Sequence, residues 1–173
     1  MENSTKARTL KLVVCGMMIA LDVALARLAS FNTTTERIGL ALFTVAIVAR
    51  LYGPVAAATV HGLADIIGAV LFPMGAYFPG FTLSAVIVGV VYGLCYRRSI
   101  AWWRIVLAVV CTQLVCTLLL NTLWLSILFG KGFLVYLPGR LIQSAIATPV
   151  QIIGTPLLLR VVDRHVRPLL GLK

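Results

Sequence analysis

The chain has 173 residues, of which 61% are hydrophobic and 12% are charged, and its mean hydropathy is +1.03. Because a soluble domain carries about twice that charged fraction, the composition excludes an ordinary soluble protein and indicates an integral membrane protein. The formal net charge of +10 raises the alternative of nucleic-acid binding, which the distribution of the basic residues argues against.

Apolar segments follow one another along the whole chain, and each is interpreted as a membrane helix. At about 20 residues per crossing, a chain of this length accommodates about six spans with short loops. The predicted spans are Leu10–Ala29, Ile38–Leu51, Pro54–Phe72, Phe78–Tyr96, Trp103–Leu128 and Pro138–Val162. The second is short for a full crossing. The sequence therefore predicts one all-α, membrane-embedded domain over residues 1–173 with six transmembrane helices.

The basic residues divide unevenly between the two ends of these spans. One side holds Arg27, Arg37, Lys131 and Arg140. The other side holds Lys6, Arg8, Lys11, Arg50, Arg97, Arg98, Arg104, Arg160, Arg164, Arg167 and Lys173. Because cytoplasmic loops are enriched in Lys and Arg, the bias places both termini in the cytoplasm. The surplus charge is thus a topology signal with some attraction to anionic lipid, and no nucleic-acid partner is predicted.

Small residues recur along the first span. Gly16, Ala20 and Ala24 lie four residues apart, so they form a stripe against which another helix can pack closely. That helix belongs either to the same bundle or to a partner subunit. Asp22 is the one acid of this span, and we expect it to contact another helix or a partner rather than a substrate.

His61 and Asp65 are the ionisable residues of the third span. They lie four residues apart, so they can pair on one helix face. Because the helix carries no further acid or base, a buried structural pair is favoured over proton coupling.

The segment Leu71–Ala85, LFPMGAYFPGFTLSA, interrupts the apolar sequence with prolines, glycines and aromatic residues. Pro73 and Pro79 each lack a backbone donor, so neither suits the interior of an unbroken helix. Irregular backbone at membrane depth survives where protein or a water-filled cavity covers it. A re-entrant loop at the edge of a binding site is the first interpretation, and an ordinary short connection is the second.

Polar residues follow the fifth and sixth spans at helical spacing. The first stripe contains Gln113, Thr117, Asn121 and Trp124, and the second contains Arg140, Ser144, Ala147 and Gln151, with Gln143 beside it. Two such stripes on consecutive helices predict a shared pocket, open near Arg140 and Lys131. The alternative is interhelical hydrogen bonding that only holds the bundle together.

No motif of a catalytic or nucleotide-binding site is present in the sequence. A Walker loop, HExxH and GxSxG are missing, and no repeat typical of ion-coupled carriers is evident. The four cysteines (Cys15, Cys95, Cys111 and Cys116) lack metal-ligand spacing, so reduced structural thiols and no metal are predicted. The sequence indicates a binding subunit that needs a partner, not an enzyme.

Five stretches together carry a family resemblance. They are AxxxA at Ala20 and Ala24, ERIGLALFTVAI from Glu36, YGPVAAATVHGLADIIGAVLFPMGAYFPGFTLSA from Tyr52, TLWLSILFGKGF from Thr122 and LPGRLIQSAIATPVQI from Leu137. With these, most of the chain resembles the substrate-binding S component of energy-coupling factor (ECF) vitamin transporters, and most closely the folate-specific members.

The resemblance implies six membrane helices with cytoplasmic termini, in a bacterial plasma membrane. It implies high-affinity vitamin binding from the outer side, with no chemistry and no cofactor. Ala20 and Ala24, with Gly16 on the same stripe, would pack on a transmembrane T subunit that two ATPase subunits drive. The chain departs from the family at Ala41, Leu42 and Thr44, which leaves the second helix's share of the site open.

Folate as the ligand suggests which side chains form the site. Its flat pterin needs aromatic faces, its ring edge needs hydrogen-bonding groups, and its glutamate needs cations near the mouth. The aromatic candidates are Tyr77, Phe78, Phe81 and Trp124, together with Pro79. The polar candidates are Asp65, Thr82, Asn121 and Gln143, and the cationic ones are Arg37, Lys131 and Arg140. The alternatives are an S component for riboflavin or thiamine, or a small ion-coupled carrier.

Overall fold

The computed structural model describes residues 2–27, 31–33, 36–38, 40–73 and 77–170. Within these ranges the chain is almost entirely helical, which confirms the predicted all-α membrane fold class. The elements in chain order are α1 (Glu2–Arg27), β1 (Phe31–Thr33), β2 (Glu36–Ile38), α2 (Ala41–Tyr52), α3 (Pro54–Leu71), α4 (Pro79–Tyr96), α5 (Trp102–Phe129) and α6 (Phe133–Leu169).

Among the described residues, five helices are long and apolar enough to cross a membrane, namely α1 and α3 to α6. The 12 residues of α2 are also apolar. At about 1.5 Å per residue they extend about 18 Å, against a hydrocarbon thickness of about 30 Å. Six complete crossings therefore stay a prediction, and α2 is the helix on which the prediction depends.

A short antiparallel hairpin, β1 and β2, lies between α1 and α2. Phe31 is opposite Ile38 at one end, and Thr33 is opposite Glu36 at the other. Sequence reasoning missed this hairpin because three-residue strands are too short to show alternating polarity. Since β2 packs against α6, the hairpin is attached to the bundle.

Helix boundaries depart from the predicted spans where the hairpin or a proline intervenes. The second helix begins at Ala41 rather than Ile38, because Ile38 belongs to β2. The last helix begins at Phe133, and Pro138, predicted as its first residue, lies in its second turn. Membrane helices tolerate an internal proline when neighbouring groups satisfy the freed carbonyl, so proline is a weak boundary signal here.

Close packing of α3 against α4 forms the centre of the bundle. A Cβ added to Gly93 would collide with Cα of Pro54, and one added to Gly89 would lie 2.5 Å from Cα of Ala58. The missing side chains let the two helix backbones approach, as small residues do in membrane bundles. On the same helix, Tyr92 and Tyr96 are buried in the core.

Glycines in the left-handed region form two of the turns. Gly53 (φ 82°) separates α2 from α3, and Gly130 (φ 65°) ends α5. Pro79 is the first residue of α4, where a missing N–H costs least. Residues 74–76 lie outside the described residues, so the re-entrant loop and the short connection both stay open as interpretations of Leu71–Ala85.

One end of the bundle is held together by Arg50. Its Nη2 pairs with Asp163 Oδ2 of α6 at 2.8 Å, and its Nη1 donates to the carbonyl oxygens of Tyr96 and Arg97 at 2.9 and 3.0 Å. The Arg50 side chain is only 8% exposed. We call the end that contains Arg50 and Asp163 the basic end, and the opposite end the loop end.

Residues of the first half of α1 and of the last part of α6 lie at the basic end. Lys11, in the first half of α1, lies over the ring of Tyr52 at the end of α2, with Nζ 5.6 Å from the ring centroid. The end of α6 is joined there through Asp163. The beginning of α1 and the end of α6 thus lie on the same side of the bundle, as the predicted topology requires. That this side faces the cytoplasm stays a prediction. Lys173 lies outside the described residues.

Candidate functional site

A cavity of about 230 Å³ lies between α2, α3, α4, α5 and α6. Polar side chains line much of it, although the domain is mostly apolar. They are His61, Asp65, Ser84, Thr112, Gln113, Thr117, Asn121, Arg140, Gln143 and Gln151. Polar groups within a membrane domain are costly and face a cavity or a partner. This cavity is therefore the candidate site.

The two polar stripes predicted from the sequence meet in the cavity. Gln113, Thr117 and Asn121 line it from α5, and Arg140, Gln143, Ala147 and Gln151 line it from α6. The structure thus contains a cavity shared by the two stripes, although Trp124 and Ser144 do not line it, and the binding role of the stripe residues stays a prediction.

Some of the stripe residues also hold one another in place. Thr117 Oγ1 donates to Gln113 Oε1 at 2.7 Å, and Tyr92 OH donates to Gln151 Oε1 at 3.2 Å. The Tyr92–Gln151 bond joins α4 to α6 and is the interhelical kind that was the alternative to a pocket, whereas the Thr117–Gln113 bond lies within α5. Asn121 Oδ1 differs, because it is buried and has no hydrogen-bond partner within the described part of the chain.

The cavity-facing part of α5 is a π-helix that extends from Gln113 to Asn121. A π-helix has wider turns than an α-helix and is frequently found at functional sites. Residues four apart stay on nearly the same face of these wider turns, so the stripe keeps its register. This change was not predictable from the sequence, because four-residue spacing fits both helix types.

Aromatic side chains form one corner of the site at the loop end. The ring centroids of Phe78 and Trp124 are 5.5 Å apart, and those of Phe78 and Phe81 are 6.5 Å apart in an edge-to-face arrangement. Trp124 Nε1 donates to Ser84 Oγ at 3.1 Å. Of these, Phe81 and Ser84 line the cavity, and Phe78 and Trp124 support them from behind. Pro79 is exposed.

Asp65 lines the cavity and accepts a hydrogen bond from Thr82. The Thr82 Oγ1 to Asp65 Oδ2 distance is 2.7 Å, and Tyr77 OH lies 2.7 Å from the same hydroxyl oxygen. Because a threonine hydroxyl has one proton and gives it to the carboxylate, Tyr77 is the donor to Thr82. Thr82 and Tyr77 thus orient Asp65 rather than line the cavity themselves.

The predicted pairing of His61 with Asp65 is wrong. His61 Nδ1 lies 2.8 Å from Asp22 Oδ2 of α1, and Asp65 takes the Thr82 hydroxyl instead. Helical spacing permits an Asp65 contact, but a carboxylate buried in α1 needs a partner more strongly, and His61 supplies it. The expectation that Asp22 contacts another helix is confirmed.

The three predicted cations occupy different environments. Arg140 lines the cavity, and its Nη1 donates to Gln143 Oε1 at 2.8 Å. Lys131 is exposed in the α5–α6 connection, where its carbonyl accepts from Ser126 Oγ at 2.6 Å. Arg37 belongs to β2, and its side chain lies outside the described part of the structure. The structure brings Arg140 to the cavity and places Lys131 at the loop end.

Sequence reasoning missed His61 and Ser84 as cavity residues. Phe81, Ser84, Ala85 and Val88 share one helix face at spacings of three and four, and all four line the cavity. This periodicity is the signal in the sequence from which Ser84 could have been predicted. Leu42 and its neighbour Ala41 line the cavity as well, which gives α2 the share that the resemblance left open.

The fold and the cavity together define a class of protein. A bundle of apolar helices encloses a cavity with amide, hydroxyl and charged groups, and the described residues contain no group of His, Cys, Asp or Glu that holds a metal ion. This is a membrane-embedded ligand-binding protein. The chain belongs to the family of ECF transporter substrate-specific components, whose family model matches residues 10–159.

Individual relatives agree with this assignment. The chain is 37% identical over 154 residues to "Folate transporter FolT" of Clostridium novyi (strain NT), covering 88% of this chain and 90% of the relative. It is 32% identical over 165 residues to "Folate transporter FolT" of Leuconostoc mesenteroides subsp. mesenteroides, covering 88% and 89%. A solved structure, "Crystal structure of FolT bound with folic acid", matches with a TM-score of 0.79 and 33% identity, covering 85% and 90% of the two chains.

Family membership fixes the general role of the chain. A substrate-specific component of a transporter binds its substrate, so the prediction that this protein is not an enzyme is confirmed. The chain is a multi-pass protein of a bacterial plasma membrane and works with the other parts of an ECF transporter.

Proposed function

We propose that this chain captures folate outside the cell and delivers it inward together with an ATP-driven ECF module. The observation that carries the proposal is the composition of the cavity, in which Arg140 shares one space with Asp65, Asn121 and Phe81. The aromatic ring suits the flat face of the pterin, the hydrogen-bonding groups suit the edge of the pterin ring, and the cation suits the glutamate. The two relatives named as folate transporters and the FolT structure with folic acid support the same ligand.

The pterin is assigned to the polar part of the cavity beside the aromatic corner. Phe81 offers a ring face, with Phe78 and Trp124 behind it. Asp65 and Gln143 offer hydrogen-bonding groups to the ring edge. Asn121 Oδ1 is a buried acceptor with no partner within the described part of the chain, so a ring N–H of the ligand satisfies an atom that is otherwise costly to bury.

The glutamate tail is assigned to the loop end. A cavity of about 230 Å³ is smaller than the roughly 300–1,000 Å³ of sites that enclose a drug-sized ligand, so it suits the ring end of folate rather than the whole molecule. Arg140 is placed to bind a carboxylate in a bidentate manner. Lys131, and Arg37 on β2, are the further cations of the mouth.

The exposed face of α1 is proposed to bind the transmembrane T subunit, which two ATPase subunits drive. Gly16 and Ala20 are exposed and Ala24 is partly so, and a Cβ added to Gly16 meets nothing within 4 Å. This placement supports a partner surface over packing within the chain. Membrane lipid covers the other exposed apolar faces, and anionic headgroups suit the basic end.

The test is folate binding to the detergent-purified chain, followed by tryptophan fluorescence and confirmed by calorimetry. We expect saturable binding that is orders of magnitude tighter than that of riboflavin or thiamine. Tighter binding of one of those vitamins would reassign the substrate. Uptake of folate by liposomes that contain this chain alone would favour a self-sufficient ion-coupled carrier and overturn the need for a module.

A further inference from the structure

The pair formed by Asp22 and His61 joins α1 to the wall of the cavity. Asp22 is 1% exposed, and its Oδ2 lies 2.8 Å from His61 Nδ1. The other carboxylate oxygen of Asp22, Oδ1, has no hydrogen-bond partner within the described part of the chain. His61 lines the cavity. A deeply buried acid is therefore held by a residue that faces the proposed ligand.

This geometry leaves one ring nitrogen of His61 for the cavity. An ionised carboxylate only accepts hydrogen bonds, so Nδ1 carries the proton that points to Asp22. A carboxylate behind a histidine fixes the tautomer and the orientation of the ring, as it does for histidines that bind metals. Nε2 is then the free hydrogen-bonding atom, an acceptor in the neutral ring and a donor in the protonated ring.

We propose that His61 contacts the bound vitamin through Nε2 and that Asp22 is the positioning residue that orients the ring. The proposal rests on the proposed function and extends its site by one residue. His61 lies one helical turn nearer the basic end than Asp65, whereas Arg140 lies close to the start of α6 at the loop end. His61 therefore lies on the side of the cavity away from Arg140 and next to Asp65, which the proposed function assigns to the pterin edge.

A purely structural role and the proposed binding role require different ring nitrogens of His61. If the pair only satisfies the buried Asp22, then Nδ1 is the important atom and Nε2 is dispensable. If His61 also binds the ligand, then both are needed, and loss of Nε2 weakens binding without loosening the helix contact.

Two substitutions of His61 separate these roles. In H61N the amide takes the place of Nδ1 and keeps a donor for Asp22, and in H61Q the amide reaches the place of Nε2. We expect H61N to weaken folate binding by about tenfold, the effect of losing one good hydrogen bond in a buried site, with an unchanged unfolding temperature. H61Q keeps more of the folate affinity than H61N but unfolds at a lower temperature. The reverse order of affinities, with H61N binding as wild type does, overturns the proposal.

The role of Asp22 is tested with D22N and the double variant D22N/H61N. Because Asp22 acts through His61, we expect D22N to weaken folate binding and the double variant to lose no more affinity than H61N alone. If the affinity losses of D22N and H61N add in the double variant, Asp22 acts independently of His61, either by contacting the ligand directly or by stabilising the fold. Either result contradicts a positioning role.

The wild-type chain keeps this test separate from the test of the proposed function. If wild type binds folate and H61N binds it equally well, the inference about His61 fails and the folate function stands. If wild type binds riboflavin or thiamine instead, the folate function fails, and the same variants are compared with that vitamin. Binding of none of these vitamins overturns both.

Discussion

Arg140 holds a special position among the charged residues of the site. Its side chain lines the cavity, and its guanidinium donates to Gln143 Oε1 at 2.8 Å one turn along the same helix. Because Gln143 restrains the guanidinium, less rotamer freedom is lost when Arg140 binds a carboxylate. The structure thus supplies a pre-oriented cation where the sequence supplied three candidates.

Replacing Arg140 with alanine should weaken folate binding more than binding of a pterin that lacks the glutamate. We expect about a tenfold or larger loss for folate, which corresponds to the roughly 1.5–3 kcal/mol of a hydrogen bond to a charged group. Titration calorimetry of both ligands measures the difference. Arg160→Ala, exposed near the basic end of the same helix, is the matched control and should bind both ligands as wild type does. Equal losses for both ligands in Arg140→Ala contradict a contact with the carboxylates.

At the scale of whole elements, the contact of α3 with α4 is set by glycine. Neither Gly89 nor Gly93 leaves room for a side chain, because backbone atoms of Ala58 and Pro54 occupy that space. Backbone atoms cannot move aside as the end of a flexible side chain can, so this interface does not tolerate a larger residue at either glycine. The cavity walls formed by α3 and α4 are correspondingly fixed relative to each other.

Gly93→Ala should lower the free energy of unfolding by about 1–3 kcal/mol, the usual cost of overpacking. Thermal unfolding in detergent measures the change. Gly16→Ala is the control, since its new Cβ meets nothing within 4 Å and alanine favours the helix, so it should not unfold at a lower temperature than wild type. An unchanged unfolding temperature for Gly93→Ala means that α3 and α4 are farther apart than described.

The exposed stripe of α1 should matter for transport but not for binding. Tryptophan at Ala20 and Ala24 fills the face proposed for the T subunit, so we expect folate binding to persist and uptake by the complete transporter to stop. Ile153→Trp, on an exposed face of α6, is the control that should preserve both. Loss of folate binding in the α1 variant would assign the stripe to the internal packing of the chain.

Local periodicity explains which parts of the site the sequence predicted. Gln113, Thr117 and Asn121 share a face in any helix, so their convergence with the α6 stripe needed only the assumption that consecutive helices pack. The partner of His61 was not predictable in this way. Asp22 is 39 residues distant, and the choice between Asp22 and Asp65 depends on how α1 and α3 are rotated.

The remaining differences are also physical. The π-helix of α5 and the short hairpin have no periodic signature in the sequence. Proline marked the true start of α4 at Pro79 but not that of α6 at Pro138, because neighbouring helices can satisfy the carbonyl that an internal proline frees. The existence of the helices was therefore predictable, and so were the ends of α3 and α4, each of which begins at a proline. The starts of α2 and α6 and the side-chain partners were not.

For the whole molecule, the alternating helices should place both chain ends on the cytoplasmic side. In a variant whose four native cysteines are replaced, single cysteines at Thr5 and Leu169 should react with a membrane-impermeant maleimide only from the cytoplasmic side. A cysteine at Lys131 should react only from outside and serves as the control. Labelling of Thr5→Cys and Leu169→Cys from opposite sides would mean an odd number of crossings, with α2 not spanning.

The shortness of α2 has a consequence for how the bilayer acts on this protein. Half of the 12 residues of α2 are buried and none is exposed, so the neighbouring helices surround it and lipid does not. Hydrophobic mismatch costs fractions of a kcal/mol per Å where a helix meets lipid. The bilayer thickness therefore constrains α1 and α3 to α6, which carry the exposed apolar faces, and α2 can be short without penalty from the membrane.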